Sequence, residues 1–92
     1  MILEVVSPEA TLFSGDVNSV AVPGAKGAFQ VLDNHAPIVS ILNPGTVKIG
    51  GKISLPEETA HHFKQQGEET FLELPNGGTV EMQQNKIVLL AD

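Results

Sequence analysis

Residues 30–41 read QVLDNHAPIVSI, two apolar runs separated by an Asp-Asn-His-Ala-Pro corner. Pro37 fixes its own φ and pushes Ala36 towards extended geometry, while Asp33 and Asn34 tolerate turn and left-handed conformations. The stretch therefore reads as strand, rigid corner, strand, with the imidazole of His35 held out at the corner. Such a ring serves docking as readily as catalysis.

Outward from that corner the same grammar repeats. Leu3 and Val5 flank Glu4, Val20 and Val22 flank Ala21, Val47 and Ile49 flank Lys48, and Val80 and Met82 flank Glu81, the period of half-buried strands. Turn residues punctuate them at Pro8-Glu9, Pro23-Gly24, Pro44-Gly45, Gly50-Gly51, Asn76-Gly77-Gly78 and Gln84-Asn85. Roughly eight or more short strands so spaced predict an all-β antiparallel sandwich or barrel. Residues 79–84 and 86–90 are close enough to form a hairpin. The near-continuous apolar run of its second strand predicts cover on both faces.

Residues 54–67, SLPEETAHHFKQQG, break the pattern. Pro56 suits a first helical turn, Glu57 and Glu58 suit its positive end, and Gly67 suits a stop. A helix of about three turns competes here with a long loop, because Leu55, Ala60 and Phe63 are its only apolar anchors.

Composition narrows the functions. With 92 residues the chain is one domain, spanning residues 1–92. Its core must come from Val, Ile, Leu and four Phe, since Trp and Tyr are absent. Eleven acids against five bases give a net charge of −6, which disfavours nucleic acid and anionic lipid. Lack of cysteine excludes disulfides and thiolate metal sites. No basic leader or long apolar segment is present, so the reading is a chain that reaches a membrane only through a protein partner.

Individual candidates for chemistry fall short. Adjacent His61 and His62 point in different directions on a helix or a strand, which suits a solvated face better than a metal. His35 lacks a neighbouring nucleophile motif or paired carboxylates. Gly24-Ala25-Lys26-Gly27 has a backbone-clamping spacing, but strand-like flanks make it a hairpin turn. Lys48 invites comparison with lipoyl or biotinyl carrier domains, small acidic all-β modules modified on a hairpin-tip lysine. Here it sits inside the alternating stretch 46–49. A free-standing ligand-binding sandwich is a third reading.

Three sets of motifs then fall in order. Leu3-Glu4-Val5-Val6-Ser7-Pro8-Glu9, Leu12-Phe13-Ser14-Gly15 and Val22-Pro23-Gly24 precede His35-Ala36-Pro37 and Pro44-Gly45-Thr46-Val47. Gly77-Gly78-Thr79-Val80-Glu81 and the run from Asn85 to Asp92 close the series. Together they resemble the N-terminal domain of the epsilon subunit of F-type ATP synthases over about three quarters of the chain.

The resemblance implies a ten-stranded β-sandwich of two five-stranded sheets. It also implies a non-catalytic rotor subunit without a cofactor, binding the gamma subunit and the c-ring to couple rotation to ATP synthesis. Such a subunit would be peripheral on the cytoplasmic face of the bacterial inner membrane, through the complex. Contacts are implied at Ser7, His35 and Ser40, each with a local structural role as its alternative. Ala28 stands where an acidic residue is usual, and Gln30, Asp33 and Asn34 replace the usual approach to the histidine. These four positions mark where the docking surface departs from the pattern. The segment near residues 50–70 is longer than usual in the family. Because Asp92 falls where many relatives begin a two-helix hairpin, no intrinsic ATP binding and no inhibition by an extending helix are expected. Saturable ATP binding in calorimetry would contradict this.

Overall fold

Alternating apolar residues form ten strands in the computed structural model, which describes residues 1–92. In chain order they are β1 (Ile2–Val6), β2 (Thr11–Asp16), β3 (Ser19–Val22), β4 (Phe29–Leu32) and β5 (Ile38–Leu42). Then follow β6 (Gly45–Gly50), β7 (Phe63–Gln66), β8 (Glu69–Leu74), β9 (Gly78–Gln83) and β10 (Lys86–Ala91). They make two five-stranded sheets, ordered β2-β1-β10-β9-β5 and β4-β3-β6-β8-β7. The predicted sandwich is the fold observed.

Alternation explains the core. Leu3 and Val5, Val20 and Val22, Val47 and Ile49, Val80 and Met82, and Ile87 and Leu89 all turn inward and are buried. Burial of this apolar area between the facing sheets supplies the main driving force. Leu12 and Phe13 are consecutive yet both buried, because the β1–β2 register slips between Val5 and Val6. Such a bulge lets one extra residue turn to the same face. The buried hydroxyl of Thr70 accepts a hydrogen bond from Gln65 Nε2 at 3.2 Å, so it carries no unmet polar cost.

Three expectations need correction. One pairing is parallel: β1 lies beside β10, with Leu3 opposite Ile87 and Val5 opposite Leu89. The final strand is covered on one face only, since Leu90 remains 45% exposed on the outer side. Residues 54–67 form neither a three-turn helix nor one long loop. Only Ala60–His62 makes a 3₁₀ turn, after which Phe63–Gln66 enters the sheet as β7 and pairs with β8. Phe63 packs against the core opposite Leu72, an anchorage that an isolated short helix would lack. Gly67, at φ +62°, forms the β7–β8 turn instead of ending a helix.

The long connection is tied down. Thr59 Oγ1 donates to the carbonyl of Leu12 at 2.6 Å, and Gln65 Nε2 donates to that of Ile53 at 3.1 Å. Ile53 and Leu55 pack on the core between these ties. The segment is thus a strap that ties the second sheet to β2, an edge strand of the first.

The rigid corner does more than turn the chain. β4 belongs to one sheet and β5 to the other, so residues 33–37 carry the backbone across the sandwich. β5 arrives as an edge strand.

Candidate functional site

Both ends of β5 carry the residues singled out by sequence, but they form two separate groups. At the first end His35 is exposed, and its Nδ1 lies 2.7 Å from the Ala36 carbonyl oxygen. A carbonyl only accepts, so Nδ1 holds the hydrogen and Nε2 is the atom offered outward. That nitrogen has no partner within the chain and is available to a polar group of another protein.

Beside it Asp33 and Asn34 are engaged within the chain. Asp33 Oδ1 accepts from Asn85 Nδ2 at 2.8 Å and from the Met1 ammonium at 3.1 Å, which also binds Asp16 at 3.0 Å. The Asn34 amide donates to Asn85 Oδ1 at 2.7 Å. Asn85, at φ +59°, is the second residue of the tight β9–β10 turn. A left-handed pair at Gln84 and Asn85 is what a two-residue hairpin turn requires. The group fastens the His35 corner to that turn and to the start of β1. Fixing the backbone beneath the imidazole limits how far it can swing.

Charge sets the window in which this latch holds. Asn85 and then the Met1 ammonium hold the Asp33 carboxyl below its ordinary value of 3.8. Asp16 and then Asp33 raise the Met1 ammonium above its ordinary 8.0. A lowered carboxyl contributes stability that is complete above 3.8 and lost as pH falls through the folded value; a raised amine contributes stability complete below 8.0 and lost as pH rises through its folded value. Melting of Asp33→Asn should therefore lie below that of the unaltered chain by a constant margin between those limits. The margin should close at acidic pH. A margin independent of pH down to acid unfolding would show that the Asp33 charge plays no part.

At the other end, Ser40 and Ala28 come together. They line a groove of about 700 Å³ between β5 and the β3–β4 turn, with Lys26, Phe29, Val39 and Ile41 on its walls. Ser40 turns inward with Ile38 and Leu42, opposite buried Val80, and its Oγ donates to the Ile41 carbonyl at 3.1 Å. Val39 and Ile41 consequently face outward, 79% and 68% exposed. Sequence reasoning missed both, since alternation around a lone serine would put the serine outside.

The remaining candidates stand apart. Gln30 is on the outer face of the second sheet, paired with Ala21. Ser7 closes the β1–β2 turn through Ala10, accepting from its amide at 3.3 Å and donating to its carbonyl at 3.2 Å.

The description "ATP synthase, Delta/Epsilon chain, beta-sandwich domain" matches residues 1–92. The chain belongs to that family. The ATP synthase epsilon chain of Pelotomaculum thermopropionicum is 36% identical over 90 residues, covering 98% of this chain and 56% of the relative. That of Campylobacter hominis is 33% identical over 92 residues, covering 100% and 61%. The epsilon chain of Chlorobaculum tepidum is 36% identical over 90 residues, covering 98% and 86%. This sandwich thus spans little more than half of the first two relatives. Among solved structures, a chain in the central stalk and c-ring of the Tetrahymena thermophila mitochondrial ATP synthase superposes with a TM-score of 0.70 at 14% identity, over 98% of this chain and 61% of that one. At that identity the likeness concerns the fold.

Within this epsilon-type sandwich, Lys48 lies in the middle of β6 and pairs with Glu69 at 3.3 Å. A carrier's modified lysine needs a freely swinging hairpin tip, and this one is laid along a sheet. No helix is long and apolar enough to cross a membrane.

Proposed function

We propose that this epsilon-type domain is a non-catalytic docking element of the ATP synthase central stalk, binding the gamma subunit and the c-ring so that they turn together. The observation that carries this reading is β5, whose Val39 and Ile41 stand exposed beside the groove while the strand itself is clamped into the sandwich. Paired large apolar side chains on a stiff edge are a docking feature. Family membership supports this choice of partners, since the relatives are epsilon chains of ATP synthases. The domain would be peripheral on the cytoplasmic face of the bacterial inner membrane, held there by the complex.

Torque transmission demands an element that does not deform under load. A close-packed sandwich with its corner latched to a neighbouring turn meets that demand. Mixed with the cognate gamma subunit, the chain should give a stable one-to-one complex in size-exclusion chromatography with light scattering. Separate elution at micromolar concentrations would remove this function. His35→Asp places a carboxylate where Nε2 is offered, and should weaken association roughly tenfold without lowering the melting temperature. Unchanged affinity would return His35 to a local role.

A further inference from the structure

The two sheets have four edges, and three of them carry polar protection. β2 ends in Asp16, β4 carries Gln30, and β7 carries Lys64, Gln65 and Gln66. Charged and amide side chains on an edge discourage another strand from adding. β5, reading Ile38-Val39-Ser40-Ile41-Leu42, has none.

Its hydrogen bonding is also incomplete. The Ile41 carbonyl accepts from the Ala25 amide at 2.8 Å, and the Asn43 amide donates to the Pro23 carbonyl at 2.8 Å. Backbone groups of residues 41 and 43 therefore point away from β9. By the alternation of an antiparallel strand, those of Val39 point the same way. Pro23 and Ala25 thus cover the C-terminal half of this edge. The N–H and C=O of Val39 and the N–H of Ile41 are left facing the groove. Three strand-forming groups in a row, bordered by apolar side chains, constitute an acceptor for an extended peptide.

We infer that β5 is completed by strand addition: an extended, apolar segment of the stalk partner lies in the groove between β5 and residues 25–29, bonds to Val39 and Ile41, and sets a carboxylate beside Lys26. This rests on the docking function proposed above and specifies its mode. Lys26 is the only charged residue of the groove in a chain of net charge −6, which gives the site a local preference for an acid. That same net charge opposes a second copy of this chain as the occupant. Phe29 and the flanks of Val39 and Ile41 would receive the segment's alternate side chains.

Amide hydrogen exchange on the chain alone and with the cognate gamma subunit tests this directly. Val39 and Ile41 amides should exchange freely in the first and about tenfold or more slowly in the second. Val39→Pro removes one donor and blocks pairing, yet an edge N–H that faces away from the sheet is one that proline can replace. It should weaken association about tenfold while the domain still melts cooperatively, and Lys26→Glu should weaken it too. A complex that forms while both amides keep exchanging freely overturns strand addition and leaves the docking function standing. No complex at all removes the function and the strand with it. Should Val39→Pro fail to fold, exchange in the unaltered chain still decides. Protection of both amides in the chain alone, with doubled mass at high concentration, would overturn the inference in favour of self-pairing.

Discussion

Leu89→Asp is expected to leave no cooperatively folded domain. Leu89 is fully buried, with Val5 of β1 on one side and Val80 of β9 on the other. Phe13 extends that inner row beyond Val5 and Ser40 extends it beyond Val80, so the position sits at the middle of the first sheet. An unpaired carboxylate there either loses its hydration or takes up a proton at neutral pH, each costing several kcal/mol. Lost packing adds roughly 2–5 kcal/mol, judging by Leu→Ala changes in other cores. A domain of this size has a total stability of about 5–10 kcal/mol. Circular dichroism should show loss of sheet signal and no thermal transition. A sharp transition near that of the unaltered chain would mean that the middle of the core is wet or yielding.

Gly77→Ala is the second large effect, and a matched partner isolates its cause. Both Gly77 and Gly67 are in the left-handed region, with φ +69° and +62°. An alanine pays about 1–2 kcal/mol for that conformation at either site. At Gly67 an added Cβ meets no atom within 4 Å, so the conformational cost is the whole effect. At Gly77 the Cβ would clash with the Leu42 carbonyl oxygen and sit 3.2 Å from the Asn43 carbonyl carbon. Backbone must move there, and what it moves is the end of β5. Urea unfolding should give a loss at least about twice as large for Gly77→Ala as for Gly67→Ala. Gly77→Ala should also raise amide exchange near Leu42. Equal losses would show that the β8–β9 turn relaxes without disturbing the edge strand.

Much of this architecture is written locally. Gln84-Asn85 and Gly24–Gly27 mark hairpins because few residues tolerate the required dihedrals, and inward residues such as Val47 and Ile49 follow from period two. Period two is silent about which sheet a strand joins. The proline-locked corner was therefore legible as a corner but not as a passage between sheets. β7 was hidden because Phe63-Lys64-Gln65-Gln66 has the composition of a helix, and only Leu72, nine residues on, draws Phe63 into a strand. Burial of alternate residues misled at β5, where an edge position lets Ser40 face inward at little cost and leaves Val39 and Ile41 outside. The Asp33–Asn85 latch was illegible for a different reason. Its members lie 52 residues apart and meet only once both corners are in place.

The parallel pairing of β1 with β10 bears on how the molecule comes into being. Leu3 finds its neighbour in Ile87, so the first strand of the sandwich waits for its tenth. A ribosome adds about 5–20 residues each second and conceals the newest of them. During that interval β1 and β2 form a two-stranded ribbon with one margin bare, stable only marginally. Closure of the first sheet is accordingly a late, long-range event, slow for topological reasons. The sandwich thus acquires its stiffness all at once, when the tenth strand settles between the first and the ninth.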